Sequence, residues 1–251
     1  MKIRIFANPH DAGIYAAALA EVVVAAKSRP VLGLATGATP TVFYDALVNL
    51  HRCGLDMSPV VTVNLDEYIG LPTDHGQSYH AFMQAHLFSR TNLAPENTHV
   101  PNGMAADLAA ECARYDDVIR RNPIDLQVLG IGVNGHIGFN EPDDLLLSRT
   151  HVVQLRQETV AANARFFPRM EDVPRRAITM GVQAILQAER IILMAFGEEK
   201  AEIVARAVLG DVRTDVPASI LQLHRDVTVV LDLQSARLLP EGKAGSAREG
   251  Y

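Results

Sequence analysis

Val31-Leu32-Gly33-Leu34-Ala35-Thr36-Gly37-Ala38-Thr39-Pro40 sets the fold class of this chain. Its first five residues are apolar without alternation, as in a strand buried on both faces. The Gly/Thr turn that follows runs into Pro40, whose fixed φ and absent N–H suit the first turn of a helix. Behind it Val42, Phe43, Ala46, Leu47 and Leu50 recur at helical spacing. Strand, tight turn and helix N-terminus in that order are the opening half of a βαβ unit.

The same grammar repeats outward in both directions. Upstream, residues 3–7 read as a strand, and Asp11 caps a helix over about 12–26. Downstream, 60–65 form a third strand that delivers Asp66-Glu67-Tyr68 at its carboxyl end. A helix over 79–87, a short strand at 98–100 and a helix within 104–121, on Leu108, Cys112, Tyr115 and Ile119, come next. The run 124–129 is again a buried strand. Beyond Pro142 the pattern predicts a strand at 150–155, a helix at 158–167, a charged connection at 168–176 and a helix at 178–187. A strand at 190–196, a helix opened by Gly197-Glu198-Glu199-Lys200 and running through Leu209, and a last strand at 227–231 complete the chain. Alternation of this kind predicts one α/β domain over 1–251: an open, mainly parallel twisted sheet with helices on both faces, Rossmann-like and three-layered. Residues 154–178 are the expected lid, and 241–251, rich in Gly, Ala and Ser, the expected flexible tail. There is no internal repeat.

Composition narrows the function. With 251 residues, 48% hydrophobic, 21% charged and a net charge of −6, the chain is globular, and its interspersed charges disfavour a nucleic-acid face. No apolar run reaches the length of a membrane span. Residues 1–6 lack the apolar core and cleavage site of a signal peptide, so the expected location is the cytoplasm. Cys53 and Cys112 belong to no redox or metal spacing, and the nine histidines show neither HExxH nor clustering with cysteine. The expectation is therefore no metal and no cofactor.

In open parallel sheets ligands sit beyond the carboxyl ends of the strands. Three polar clusters, at 36–40, 66–68 and 132–141, fall at such ends. The densest lies in Gly130-Ile131-Gly132-Val133-Asn134-Gly135-His136-Ile137-Gly138-Phe139-Asn140-Glu141-Pro142, where His136 and Glu141 converge if the loop folds back. The other reading is a Gly-rich connection with a satisfied loop histidine. Thr36, Gly37, Ala38 and Thr39 offer free amides, hydroxyls and a helix dipole, either for a phosphate or as an ordinary capped turn. Lys200, one of only four lysines against nineteen arginines, sits in the first turn of a helix where the dipole disfavours a cation. A phosphate there would reverse that sign; a solvated lysine offset by Glu198 and Glu199 is the alternative. Arg165, beside Phe166 and Phe167, either snorkels over apolar surface or clamps a phosphate. Asp66 and Glu67 are adjacent on an extended segment and so point apart, with Asp66 the candidate acid/base and local capping the competing role.

Residues 34–40, Asn64-Leu65-Asp66-Glu67-Tyr68-Ile69-Gly70-Leu71-Pro72, Gly130 through Pro142 and Ser219-Ile220-Leu221-Gln222-Leu223-His224 together closely resemble the glucosamine-6-phosphate deaminase family, in the family's order and spacing from about residue 30 to 225. The resemblance implies conversion of D-glucosamine 6-phosphate and water to D-fructose 6-phosphate and ammonium, without metal or redox cofactor. It implies that Asp66 moves the proton between C2 and C1, and that His136, oriented by Asn134 and Glu141, assists ring opening. It further implies that residues 36–39, Arg165 and Lys200 hold the phosphate.

Two departures stand out. Many family members carry Asp where this chain has Asn134, and others carry Asn, so the expectation is an intact mechanism with Glu141 as the sole charge on His136. Where allosteric members bind N-acetylglucosamine 6-phosphate through basic residues and hydroxyls, this chain has Asp143, His151, Val153 and Gln154, which predicts no such activation. A monomer and a homo-oligomer both fit. The competing functions are 6-phosphogluconolactonase, which resembles it in fold but lacks Phe139-Asn140-Glu141-Pro142, a deaminase or isomerase of another hexosamine phosphate, and a non-catalytic phosphosugar sensor.

Overall fold

The computed structural model describes residues 1–240; the tail at 241–251 lies outside the described residues. In chain order the elements are β1 (Lys2–Phe6), α1 (Pro9–Ala26), β2 (Val31–Leu34), α2 (Thr41–Arg52), β3 (Val61–Asn64), β4 (Asp66–Tyr68), α3 (Tyr79–His86), β5 (Thr98–His99) and α4 (Leu108–Arg121). They continue with β6 (Leu126–Gly130), β7 (His151–Gln154), α5 (Gln157–Asn163), β8 (Arg176–Thr179), α6 (Val182–Gln187), β9 (Arg190–Ala195), α7 (Ala201–Leu209) and β10 (Val227–Asp232). Seven strands form one sheet in the order β1-β10-β9-β6-β2-β3-β5, and every adjacent pair is parallel.

Non-alternating apolar strands demand cover on both faces, and they receive it. On one face Ala16, Phe43, Leu47 and Met83 from α1, α2 and α3 pack on Leu32, Leu34, Val128 and Ile192. On the other, Tyr115, Ile185, Ile203 and Val204 from α4, α6 and α7 pack on Val63, Leu129, Leu193 and Val229. The result is a three-layer α/β fold. From β2 the chain moves outward to β3 and β5, then returns to β6 on the other side of β2 and continues to β9 and β10. The loops after β2 and β6 therefore diverge at a switch point and leave a crevice between them.

A second, antiparallel sheet of order β4-β8-β7 stands beside the first. Leu65 joins the two: its amide donates to the Leu34 carbonyl at 3.0 Å, and its carbonyl accepts from the Met180 amide at 2.7 Å. Asp66 thus begins a strand of its own instead of ending the third strand. Leu155, Val160, Phe167, Val173 and Ala177 close a small core with Tyr68 and Phe139 over this sheet.

Several local expectations need correction. The helix expected over 178–187 starts at Val182, because Ile178 and Thr179 belong to β8, paired with Glu67 and Asp66 on one side and Val152 and His151 on the other. A short apolar run fits either period, and cross-strand partners decide. α1 starts at Pro9, with the Asn8 side chain accepting from the Asp11 amide at 3.0 Å, so Asn8 and not Asp11 is the cap. Pro40 stands at the cap position of α2, one residue outside its first turn. The helix expected over 158–167 is α5 followed by a tighter turn, Ala164–Phe166. No helix among the described residues is long and apolar enough to cross a membrane.

Candidate active site

The crevice at the switch point is a cleft of about 480 Å³. Of the predicted residues, Thr36, Gly37, Ala38, Thr39, Asp66, His136, Arg165 and Lys200 line it, whereas Asn134 and Glu141 lie behind the imidazole.

Asp66 is only 5% exposed. Burial raises its carboxyl well above the usual range, the neighbouring charge of Glu67 adds to the rise, and the Phe139 amide facing it opposes both. That amide also donates to Thr179 Oγ1 at 3.1 Å. In front of the carboxyl stands Gly138, at φ +56; a Cβ there would lie 3.2 Å from Thr179 Oγ1 and 3.3 Å from Asp66 Oδ2. Glycine therefore satisfies the left-handed backbone and keeps the approach to the acid open.

His136 is held by its own loop. The Gly132 amide donates to the His136 carbonyl at 2.9 Å, and the His136 amide donates to Asn134 Oδ1 at 3.2 Å. Asn134 Nδ2 in turn donates to Glu141 Oε2 at 2.8 Å, and that oxygen lies 3.5 Å from His136 Nδ1. Burial alone would raise the Glu141 carboxyl, but its contacts with His136, Thr159 and Asn134 outweigh that and hold it at about 2. Glu141 is thus a fixed anion beside the imidazole and no proton donor. The ring occupies the space beside Gly132, where a Cβ would meet Cε1 at 2.2 Å.

Elsewhere on the cleft wall, the turn of residues 36–40 opens onto the N-terminus of α2. Lys200 Nζ donates to the Ile131 carbonyl at 2.8 Å. Burial lowers its ammonium below the usual range; Glu199 counters this and Arg165 reinforces it. The Arg165 guanidinium lies 4.7 Å from the centroid of the Phe166 ring. Among the described residues neither Lys200 nor Arg165 is in an ion pair; the two cations share the cleft lining with Glu199, which acts on Lys200 from beyond ion-pair distance. Such an arrangement suits a dianion.

Sequence reasoning missed three contributors. Thr159 places its hydroxyl 3.4 Å from His136 Nδ1, yet a single Thr on a short helix carries no signal. Tyr79 stacks on Phe139 with ring centroids 5.8 Å apart and planes at 15°, a pairing made by tertiary packing alone. Glu67, for which the sequence offered no more than capping of the next turn by one of the acidic pair, caps a helix that starts twelve residues later: its carboxylate accepts from the amides of Tyr68 at 2.8 Å, Tyr79 at 2.9 Å and His80 at 2.9 Å.

Comparison with known proteins places this architecture. Residues 10–230 match the family model described as glucosamine-6-phosphate isomerases/6-phosphogluconolactonase. The glucosamine-6-phosphate deaminase of Thermoanaerobacter sp. strain X514 is 48% identical over 243 residues, 96% of either chain. That of Halothermothrix orenii is 49% identical over 241 residues, covering 95% of this chain and 100% of the relative. A solved monomeric glucosamine-6-phosphate deaminase superposes with a TM-score of 0.93 at 44% identity, over 95% of this chain and 100% of that one. The 6-phosphogluconolactonase of Leishmania guyanensis shares the fold at a TM-score of 0.77 and 18% identity, over 95% of this chain and 98% of that one. By sequence along most of its length and by the course of its backbone, this chain belongs to the glucosamine-6-phosphate isomerase/6-phosphogluconolactonase family.

Proposed function

We propose that the protein is a glucosamine-6-phosphate deaminase, converting D-glucosamine 6-phosphate and water to D-fructose 6-phosphate and ammonium. The observation that carries the reading is that one cleft is lined together by a buried carboxyl whose proton affinity burial raises, Asp66, an imidazole oriented by an anion, His136, the 36–39 turn and two cations outside any ion pair, Lys200 and Arg165. The phosphate is held by residues 36–39, Lys200 and Arg165, which leaves the sugar carbons between Asp66 and His136. His136 takes the proton of the anomeric hydroxyl and returns it to the ring oxygen, opening the pyranose; the Glu141 carboxylate supports the imidazolium in between. Asp66 removes the C2 proton of the open aldose and delivers it to C1, passing through an enolamine. Water adds to the resulting imine at C2 and ammonium leaves. A carboxylate whose proton affinity burial raises is a stronger base for taking the C2 proton and can return it to C1.

The same reading takes residues 1–251 as one catalytic domain with 154–178 as its lid, acting in the cytoplasm as a monomer, like the solved relative. It assigns no activation by N-acetylglucosamine 6-phosphate, since at Asp143, His151, Val153 and Gln154 the chain has an acid, an apolar side chain and no Lys or Arg where a phosphate would need cations.

The test is release of ammonium and fructose 6-phosphate by wild type and Asp66→Asn, with and without N-acetylglucosamine 6-phosphate. Turnover that collapses in the variant while substrate still binds supports the assignment. A folded wild type inert toward glucosamine 6-phosphate but active on 6-phosphogluconolactone would replace it.

A further inference from the structure

Resting on the deaminase reading, we propose that Glu67 is a positioning residue for the reaction: its buried carboxylate ties the first turn of α3 to the strand that carries Asp66, and so holds the Tyr79 hydroxyl at the junction between the base and the anion-binding loop. Glu67 is 2% exposed and points away from the cleft, so it touches no substrate. Both of its oxygens are used. Oε1 accepts from the amides of Tyr68 and Tyr79, and Oε2 from that of His80. The last two amides are orphan donors at the start of a helix, where the dipole favours an anion. Ser78 already supplies the conventional cap, accepting from the Ala81 amide at 3.0 Å. A second, charged cap drawn from a distant strand therefore exceeds what ending a helix of eight residues requires.

What it fixes is Tyr79. The ring is clamped between Phe139 and Tyr68, whose centroid lies 4.8 Å away. Its hydroxyl faces those of Tyr68 and Thr36, and Asp66 is close enough to act on its ionisation. Desolvation, with Tyr68 and Asp66 adding, keeps the phenol protonated, so it stands as a donor on the cleft wall. Glu67 reaches the chemistry by a second route, because its charge raises the Asp66 carboxyl.

The groups facing Glu67 are Asp66 and Tyr68 on its own strand, Tyr79 on α3 and the chain at Gly103 across from it; its β8 partner is the apolar Ile178. Among the described residues it has no ion-pair partner: His80 meets it through the backbone amide, while its ring Nδ1 lies 3.2 Å from the Thr73 carbonyl. Burial pushes its own carboxyl up to about 7 against the pull of the three amides, so the tie loosens as pH falls through that value.

The experiment is a double-mutant cycle of Glu67→Gln and Tyr79→Phe, read as kcat, KM and the pH profile of kcat, with Glu67→Asp as the conservative control. Glutamine keeps one acceptor oxygen and the volume, so the fold is retained while one amide and the charge are lost. The expected result is a fall in kcat of roughly tenfold or more with a smaller change in KM, and an acid limb shifted to lower pH by on the order of one unit. The double variant should be little worse than the poorer single variant. Glu67→Asp should restore the position of the acid limb without restoring kcat, because the shorter chain keeps the charge and not the reach. Multiplicative losses with an unmoved acid limb would overturn the proposal, leaving Glu67 a mere helix cap. If Glu67→Gln fails to fold, Glu67→Asp carries the cycle. A wild type that does not turn over glucosamine 6-phosphate refutes the functional reading alone. The cycle is then read on the Kd for inorganic phosphate, where coupling between the two sites sustains the role of Glu67 and independence ends it.

Discussion

Gly132→Ala isolates the placement of the His136 ring from every other property of the site. The backbone at Gly132 is not left-handed, so alanine meets no conformational penalty there. Its Cβ, however, would stand 2.2 Å from His136 Cε1, 2.4 Å from Nδ1 and 2.5 Å from Nε2. Restoring ordinary contact at 3.4 Å moves the ring by about 1.2 Å. The obstacle is the end of a flexible side chain, so the fold absorbs it cheaply, but Nδ1 leaves the 3.5 Å relation to Glu141 Oε2. A misplacement of about 1 Å costs on the order of 10²-fold in rate. The assay is kcat/KM for glucosamine 6-phosphate alongside thermal unfolding. The expected result is a loss of about 100-fold with Tm within a few degrees of wild type. A kcat/KM within twofold of wild type would refute the claim that ring position governs turnover.

Three further outcomes follow from the charges of the site. For Asp66 the folded-state carboxyl lies above its unfolded value of 3.8, so native stability is lost as pH rises through the folded value. Asp66→Asn should therefore raise Tm at pH 8 by roughly 2–4 °C while abolishing turnover, a gain that vanishes below pH 4 in calorimetry. Glu141 runs the other way, from 4.5 down to about 2; its contribution is fully present above 4.5 and lost as pH falls toward 2. Wild type and Glu141→Gln should differ by on the order of 2 kcal/mol in urea unfolding at pH 7 and converge near pH 2. Lys200→Met removes one charge-assisted contact to the phosphate, worth roughly 1.5–3 kcal/mol, so KM should rise tenfold or more in steady-state kinetics with a smaller effect on kcat. An unchanged KM would move the phosphate away from this end of the cleft.

The strands of the main sheet are readable in the sequence because burial on both faces writes them as unbroken apolar runs, as in 31–34 and 191–195. The same property defeats the reading at 176–187, where a run too short to show a period is strand first and helix after. Site residues announced themselves where chemistry contradicts local preference: a lysine against the helix dipole at Lys200, glycines crowding a histidine at 130–138. Thr159 and Tyr79 break no local rule and acquire their places from a fold-back of the chain, so nothing near them in sequence betrays them. Glu67 is the instructive case. Alternation correctly turned it away from Asp66, but its destination lies across a loop that sequence cannot close.

Leu65 has a consequence for what the cleft accepts. One residue supplies the last rung of the main sheet and the first of the small one, so the anchor of Asp66 and the anchor of the 36–40 turn are separated by the single hydrogen bond from Leu65 to Leu34. No rocking of one sheet on the other lengthens that span. The gap between base and anion seat is a gauge cut into the main chain, and under the proposed function it counts carbons: a sugar phosphate one carbon longer or shorter seats its phosphate only by drawing C2 away from the carboxyl. Discrimination by length would then rest in part on the backbone at Leu34 and Leu65, and not on the side chains around the cleft alone.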